Sequence, residues 1–153
     1  MINKFDGPYA FLSNFYHSPI IYEGLEYPTV EHAFQAAKTL EVSERESIAA
    51  LPTPGAAKRA GRQVSLRKDW EEIKIDVMRE CLKEKFKDPV LFASLVATGD
   101  EELIEGNYWH DNFWGVCSCE RSNGQGLNQL GKLLMELRTE LRLRALDQLF
   151  PEI

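Results

Sequence analysis

The sequence of 153 residues predicts an α+β protein that is mostly helical, with a small antiparallel sheet in a single domain over residues 1–153. Strand-forming residues around a turn near the N-terminus indicate a β-hairpin. Two long segments place apolar residues at the spacing of a helix, and shorter capped segments separate them. A chain of this length buries roughly two-thirds of its unfolded surface, which is enough for one hydrophobic core and not for two.

The hairpin is predicted at residues 20–27. Ile20-Ile21-Tyr22 and Leu25-Glu26-Tyr27 are runs of apolar, β-branched and aromatic residues, as short strands require. Glu23-Gly24 joins them, and glycine accepts the positive φ of a two-residue hairpin turn. The two runs are therefore expected to pair as antiparallel strands.

Helical segments are predicted at 29–40, 43–51, 56–60, 68–87, 90–97 and 127–141, with a strand at 103–105. Thr29 suits the N-cap of the first helix, because its hydroxyl can accept a hydrogen bond from the first turn. Ser43 and Glu46 have the spacing of a capping box at the start of the second helix. Gly61 is expected to end the third.

The first helix carries the first candidate site. At about 100° per residue its apolar residues fall in one arc that is expected to face the core, namely Val30, Ala33, Phe34, Ala37 and Leu40. Glu31, Gln35 and Lys38 form a narrow polar stripe that borders this arc. The stripe is either the wall of a cleft that presents a carboxylate, an amide and an amine, or a solvated face with a Glu–Lys pair.

Residues 109–115 form the second candidate site. The segment combines two tryptophans, a phenylalanine and a histidine with the carboxylate of Asp111, and it shows no helical or strand period. Large aromatic rings bury area and stack on planar ligands, so the loop either lines a ligand site or closes the core. Trp70, near the start of the first long helix, has the same two interpretations.

Charge and composition exclude several classes of protein. The 18 Lys and Arg against 24 Asp and Glu leave a formal charge of −6, which argues against a protein that coats nucleic acid by bulk attraction. No apolar run approaches the ~18 residues needed to cross a bilayer, and the N-terminal residues lack the apolar run of a signal peptide. The three cysteines are too few for a disulfide scaffold, so a cytoplasmic location without a membrane partner is expected.

Neither a metal nor a cofactor is predicted. Cys117-x-Cys119 lies downstream of His110, but a structural zinc site needs four ligands at recognisable spacing, and no second pair of ligands follows. The sequence contains no G-x-G-x-x-G motif and no P-loop. A small anionic substrate held by a few local basic groups is compatible with the acidic balance.

Several longer motifs carry a resemblance to a known family. They are FLSNFY at 11–16, YPTVEHAFQAAK at 27–38, LRKDW at 66–70, D-x-x-W-G at 111–115 and GLNQLGKLLMELR at 126–138, with shorter matches at 61–62, 85–86 and 103–105. Together these segments resemble the NADAR family. The resemblance places the domain core at about 5–142 and a C-terminal tail at 143–153. Residues 116–125 depart from the family pattern, because many members have a shorter glycine-rich stretch there.

The resemblance implies an N-glycosidase, a hydrolase that splits the bond between a ribose and a nitrogen base. ADP-ribose attached to guanine in DNA or RNA is the first substrate class implied, as the reversal of a toxin modification. Phosphorylated intermediates of riboflavin synthesis are the second. An alternative of another class is a non-catalytic module that binds ADP-ribose or NAD.

The family positions implied to be catalytic are Glu31, Lys38, Trp70 and Asp111. Because breaking an N-glycosidic bond develops positive charge on the ribose, we assign Glu31 as the prime carboxylate and Asp111 as its partner. Lys38 either holds a phosphate or attacks C1′ of an opened ribose as a Schiff-base amine. The residues expected to bind substrate are Ser13, Asn14, Phe15, Gln35, Arg62, Arg67, Trp114, Gly115 and Asn128.

Overall fold

A computed structural model describes residues 1–150 and confirms the fold class, a mostly helical α+β protein with a small antiparallel sheet. A 3₁₀ helix at Gly7–Leu12 is followed by β1 (Ile20–Tyr22), β2 (Leu25–Tyr27), α1 (Val30–Ala36), α2 (Val42–Ala49), α3 (Pro54–Ala60), α4 (Trp70–Lys85), α5 (Pro89–Ala97), β3 (Gly106–Asn107), β4 (Val116–Cys117) and α6 (Gln129–Leu149). The described chain gathers into two compact units. We call residues 14–87 the central unit, and residues 1–13 with the chain from Asp88 onwards the terminal unit. The domain bounds inferred from the sequence stay a prediction.

The hairpin of the central unit has the predicted strands and turn. β1 and β2 pair antiparallel, with Ile20 opposite Tyr27 and Tyr22 opposite Leu25. Glu23 and Gly24 form the turn with φ of 47° and 86°. Two consecutive positive φ values match the right-handed twist of the strands they join.

Helix α1 packs against α2, α3, α4 and the hairpin, so it lies at the centre of this unit. Thr29 caps it as predicted, since its hydroxyl accepts the N–H of His32 at 3.1 Å. All seven residues of α1 are buried, the polar ones included. A solvated face, one of the two interpretations of the polar stripe, is therefore wrong for α1, because Glu31 and Gln35 are both buried.

The boundaries of helices α1 and α2 differ from those predicted from the sequence. Helix α1 ends at Ala36, and Leu40, which was expected in the core, is 65% exposed. The chain leaves the helix because Thr39 pairs with Leu66 as a β-bridge. Helix α2 begins at Val42, which puts Ser43 inside the helix and leaves no capping box.

Helix α4 buries the apolar stripe that the sequence predicts, with Trp70, Val77, Met78, Cys81 and Leu82 inside. It spans Trp70–Lys85, two residues shorter at each end than predicted. Asp69 and Phe86 occupy its N-cap and C-cap positions.

The terminal unit is organised around the packing of α5 against α6. Asp88 caps α5, accepting the backbone N–H groups of Val90 and Leu91. The strand predicted at 103–105 reduces to one bridge between Ile2 and Leu103, and a short parallel pair forms instead between β3 and β4.

Helix α6 continues to Leu149, through the first part of the predicted tail, and residues 151–153 of that tail lie outside the described residues. Its leucines at 130, 133, 134, 137 and 141 are buried, as the helical spacing predicts. No helix within residues 1–150 is both long and apolar enough to cross a membrane.

Candidate active site

Glu31 is the buried carboxylate of the central unit. It lies in the first turn of α1 and is 7% exposed. The side-chain amide of Gln35, one turn later, donates to Glu31 Oε1 at 2.8 Å, and the Glu31 backbone N–H donates to the carbonyl of Asn14 at 3.1 Å. Helix, amide and neighbouring loop together hold the carboxylate in one orientation.

The position of Gln35 depends on Gly61, the residue after α3. A Cβ atom at Gly61 would lie 1.9 Å from Gln35 Oε1, so a side chain there would displace the amide that holds Glu31. Gly61 has a helical φ of −60°, which any residue adopts. The glycine is therefore required for space and not for backbone freedom.

Two buried side-chain amide oxygens in the central unit lack hydrogen-bond donors within residues 1–150. They are Oδ1 of Asn14 and Oε1 of Gln35, on side chains that are 9% and 5% exposed. Asn14 uses its amide nitrogen on the sulfur of Met78 at 3.5 Å, and Gln35 uses its own on Glu31. Unsatisfied buried acceptors are rare in folded proteins and suit a ligand that brings hydroxyl or N–H groups.

Lys38 lies just beyond the end of α1 and is half-buried. Its backbone is held at both ends, since its N–H donates to Gln35 and its carbonyl accepts from the N–H of Arg67 at 2.8 Å. Within residues 1–150 its ammonium makes no hydrogen bond or ion pair. An unpaired, partly desolvated amine is available to a ligand.

Burial lowers the pKa of the Lys38 amine from its usual value of 10.5. The negative charge of Glu31 opposes this shift, whereas the positive charges of Arg62, Lys58 and Lys74 add to it. The direction favours the free amine, because desolvation and like charges both destabilise an ammonium. Glu31 and Lys38 are thus electrostatically linked.

Trp70 and Phe15 present their rings differently. Trp70 is buried at 5% exposure, and its ring centroid lies 5.0 Å from that of Phe34 on α1. This tilted contact fixes α4 against α1, so Trp70 acts as a rigid wall of the unit. Phe15 is 45% exposed and leaves its ring open to solvent.

The two predicted arginines of this unit differ in their contacts and exposure. Arg67 is paired with Asp69 through two bonds, Nε to Oδ1 at 2.7 Å and Nη2 to Oδ2 at 3.1 Å. Arg62 is exposed.

A surface groove of about 440 Å³ is lined by Leu40, Glu41 and residues 65–69, and it includes neither Glu31 nor Trp70. Both partners of the Arg67–Asp69 ion pair line this groove.

Lys85 is a buried cation to which the sequence analysis gives no role. It is 1% exposed, and its Nζ lies 5.6 Å from the ring centroid of Tyr16 and 5.3 Å from that of Phe86. Burial lowers its pKa to about 7. Lys85 follows Val77 and Cys81 at intervals of four residues, which places it on the buried face of α4. The helical period of the sequence therefore already indicated that Lys85 is buried.

Asp111 organises the aromatic loop of the terminal unit. Its Oδ1 accepts the backbone N–H groups of Phe113 at 3.1 Å and Trp114 at 2.9 Å. The side chain of Asn107 bonds to both the N–H and the carbonyl of Asp111, at 3.1 and 2.8 Å. The rings of Phe113 and Trp114 meet edge to face with centroids 4.8 Å apart.

The other predicted residues of this unit hold backbone segments together. Asn128 donates to the carbonyl of Leu103 at 2.9 Å and accepts the N–H of Glu105 at 3.0 Å. A Cβ atom at Gly115 would lie 1.8 Å from Oε2 of Glu105, so only glycine fits. Ser13 follows the 3₁₀ helix and donates its backbone N–H to Ala10.

The structure thus assembles the predicted residues into two groups. The central unit brings Glu31, Gln35 and Lys38 together and packs Trp70 against Phe34 of the same helix α1. The terminal unit brings together Asp111, Trp114 and Gly115. Each group includes one carboxylate whose orientation is set by hydrogen bonds.

Comparison with known proteins agrees with this architecture. The model of the NADAR domain family matches residues 2–142. An N-glycosidase of Shigella boydii, YbiA, is 44% identical over 138 residues, covering 88% of this chain and 83% of that protein. An N-glycosidase of Nostoc punctiforme is 39% identical over 141 residues, covering 88% and 87% of the two proteins. N-glycosidases are hydrolases that act on N-glycosyl bonds.

A longer relative and a solved structure complete the comparison. A riboflavin biosynthesis protein of Vibrio vulnificus is 37% identical over 143 residues, which cover 92% of this chain and 38% of that protein. The NMR structure of YbiA from Escherichia coli matches 96% of this chain and 90% of its own, with a TM-score of 0.77 and 38% identity. Because a family model covers nearly the whole chain and relatives share over a third of its residues, the protein belongs to the NADAR domain family.

Proposed function

We propose that this protein is an N-glycosidase that hydrolyses the bond between a ribose and a nitrogen base, with Glu31 as its central carboxylate. The observation that carries the proposal is that a buried, hydrogen-bonded Glu31 lies near enough to Lys38 to influence its charge. Lys38 is half-buried, and its ammonium makes no hydrogen bond or ion pair within residues 1–150. Charge that develops during the reaction is stabilised most strongly by fixed groups in a site poor in water. Relatives named N-glycosidases support the same reaction.

Glu31 would act on the ribose. As the C1′–N bond breaks, the electron pair leaves with the base and positive charge collects at C1′ and the ring oxygen. A carboxylate beside C1′ stabilises that charge and accepts a proton from the attacking group. The hydrogen bond from Gln35 to Oε1 would hold the carboxylate in a fixed orientation during the reaction.

Lys38 would supply the attacking group in the covalent version of this mechanism. Its amine forms a bond to C1′ and gives up one proton, and the base departs with the electron pair of the C1′–N bond and gains that proton. The C1′–O bond of the ring then breaks, and the ring oxygen takes a proton from water, which leaves a protonated imine. Water then adds to the imine and releases the sugar and the free amine. The lowered pKa of Lys38 supports this role, because only the unprotonated amine attacks. In the second version Lys38 keeps its charge and binds a phosphate.

The unsatisfied acceptors would position the sugar. Oδ1 of Asn14 and Oε1 of Gln35 are buried and can each accept a hydrogen bond from a ribose hydroxyl. The backbone carbonyl of Asn14 also accepts the N–H of Glu31, so sugar-binding and charge-stabilising groups share one support. Within the terminal unit, we assign Asp111 the role of holding the loop that carries Trp114.

Two substrate classes remain candidates. Phosphorylated ribosylamino-pyrimidines of riboflavin synthesis are favoured by the relatives of Vibrio vulnificus and Zea mays, which are named riboflavin biosynthesis proteins. ADP-ribosylated guanine, placed first from the sequence, is the second candidate. Both carry phosphate, which suits the cationic groups Lys38, Arg62 and Lys58.

One experiment separates these candidates. The protein is incubated with a phosphorylated ribosylamino-pyrimidine and, separately, with an oligonucleotide that carries ADP-ribosylated guanine, and base release is followed by mass spectrometry. We expect release from one of them and none with Glu31→Gln. Absence of release from both, with ADP-ribose raising the Tm, would overturn the proposal in favour of a binding module.

A further inference from the structure

Three side chains that favour soft metal ions meet in the terminal unit. The ligand atoms of His110, Cys117 and Cys119 all lie within 4.8 Å of one another. Nδ1 of His110 is 3.1 Å from Sγ of Cys119. The three residues lie seven and two positions apart, so the contact depends on the path of the loop between them.

The backbone around these residues is closed into a compact turn. Cys117 pairs with Gln125, and the N–H of Gly124 donates to the Cys117 carbonyl at 2.9 Å. The N–H of Cys119 points at Sγ of Cys117 at 3.3 Å. This contact fixes the orientation of the Cys117 side chain within the cluster.

The conformation of His110 gives a second reason to consider a ligand. Its φ is 73°, in the left-handed region that residues other than glycine rarely adopt. Non-glycine residues in this region cost free energy and persist where the surrounding structure demands them, often at functional sites. Here the conformation accompanies an imidazole that contacts Cys119.

We infer that His110, Cys117 and Cys119 form a zinc site with three protein ligands and one open position. Two sulfur ligands and one imidazole suit Zn²⁺ and exclude the oxygen-preferring ions Mg²⁺ and Ca²⁺. Zinc bonds of about 2.3 Å to sulfur and about 2.0 Å to nitrogen place tetrahedral ligand atoms roughly 3.5–3.8 Å apart. Small rotations of the exposed His110 and the half-buried Cys119 reach that geometry.

No metal was predicted here from the sequence, because the prediction required the four protein ligands of a structural zinc site. The structure shows three, which is the number of protein ligands in zinc sites that keep a position for water or another group. The ion would join the start of the aromatic loop to its end, since His110 precedes Asp111 and the cysteines follow Trp114. It would therefore hold the loop closed.

Metal binding itself is the test, independent of any activity. The reduced protein, freed of metal with a chelator, is titrated with Zn²⁺ in competition with a coloured chelator, and with Co²⁺ to observe a thiolate-to-cobalt charge-transfer band. We expect one ion per chain. Cys119→Ser should weaken binding about a hundredfold or more and reduce the band to the intensity of a single thiolate.

Matched variants complete the experiment. His110→Asn removes the imidazole with a residue that tolerates positive φ, and we expect weaker Zn²⁺ binding with two-thiolate cobalt spectra. Cys81→Ala, in α4 of the central unit, should bind Zn²⁺ as the unmodified chain does. If the unmodified chain binds no better than Cys119→Ser, the site does not exist and the inference is overturned.

Discussion

The two units hold their carboxylates by different means. Glu31 sits in a helix whose seven residues are all buried, and a side-chain amide holds its oxygen. Asp111 sits in a half-buried loop, and backbone N–H groups hold its oxygen. Burial strengthens the electric field of the Glu31 carboxylate. The Asp111 carboxylate uses its hydrogen bonds to fix the conformation of its own loop. This difference supports our proposal that Glu31 stabilises charge and that Asp111 positions its loop.

The largest effect is expected from Glu31→Gln. The amide keeps the size of the side chain and removes the negative charge, so turnover should fall about a thousandfold while ligand affinity changes only a few-fold. Steady-state kinetics of base release and ligand titration measure the two quantities. Glu46→Gln, on the exposed face of α2, is the matched control and should leave both unchanged. Full turnover by the Glu31 variant would remove the central assignment.

Asp111 should be less sensitive to loss of charge. In Asp111→Asn the side-chain oxygen can still accept the N–H groups of Phe113 and Trp114, so we expect stability within about 0.5 kcal/mol and turnover reduced at most about tenfold. Asp111→Ala loses both bonds and should cost about 1–2 kcal/mol. Urea denaturation and kinetics of both variants test this. A loss of turnover in Asp111→Asn as great as that of Glu31→Gln would make the two carboxylates equivalent.

Gly61→Ala tests whether Gln35 positions Glu31. The added Cβ would lie 1.9 Å from Gln35 Oε1, so we expect a loss of about 1–3 kcal/mol in the free energy of unfolding and about tenfold in turnover. Gly55→Ala is the matched control in α3, because its Cβ meets its nearest neighbour at 3.6 Å. That variant should gain up to about 1 kcal/mol in the same urea titration. Equal effects at both glycines would show that the contact with Gln35 is unimportant.

The smallest effect is expected from pH and concerns Lys38. Its pKa is lowered in the folded protein, so the fraction of free amine increases with pH over a range below 10.5. The free-energy penalty for burying the charge is relieved over the same range, because the amine loses its charge there. If the amine attacks C1′, kcat rises with pH and borohydride traps an adduct on Lys38. If the ammonium binds phosphate, KM rises with pH instead. Lys87, whose side chain is 68% exposed, is the reference lysine for mapping the adduct.

Elements whose signals are local were predicted well. The hairpin at 20–27, the Thr29 cap and the buried leucines of α6 depend on residues close together in the chain, and all are confirmed. Their geometry follows from turn conformation, hydrogen bonding to the first turn and helical period. The end of α1 was predicted wrongly because it depends on Leu66, some thirty residues away.

The sequence by itself determined the family, the fold class and the residues to consider. The tertiary structure decided which of them lie close together. Gly61 contacts Gln35 and His110 contacts Cys119, and neither contact has a periodic signal in the chain. Periodicity reports which face of an element is apolar, whereas desolvation and contact depend on what other segments place against that face.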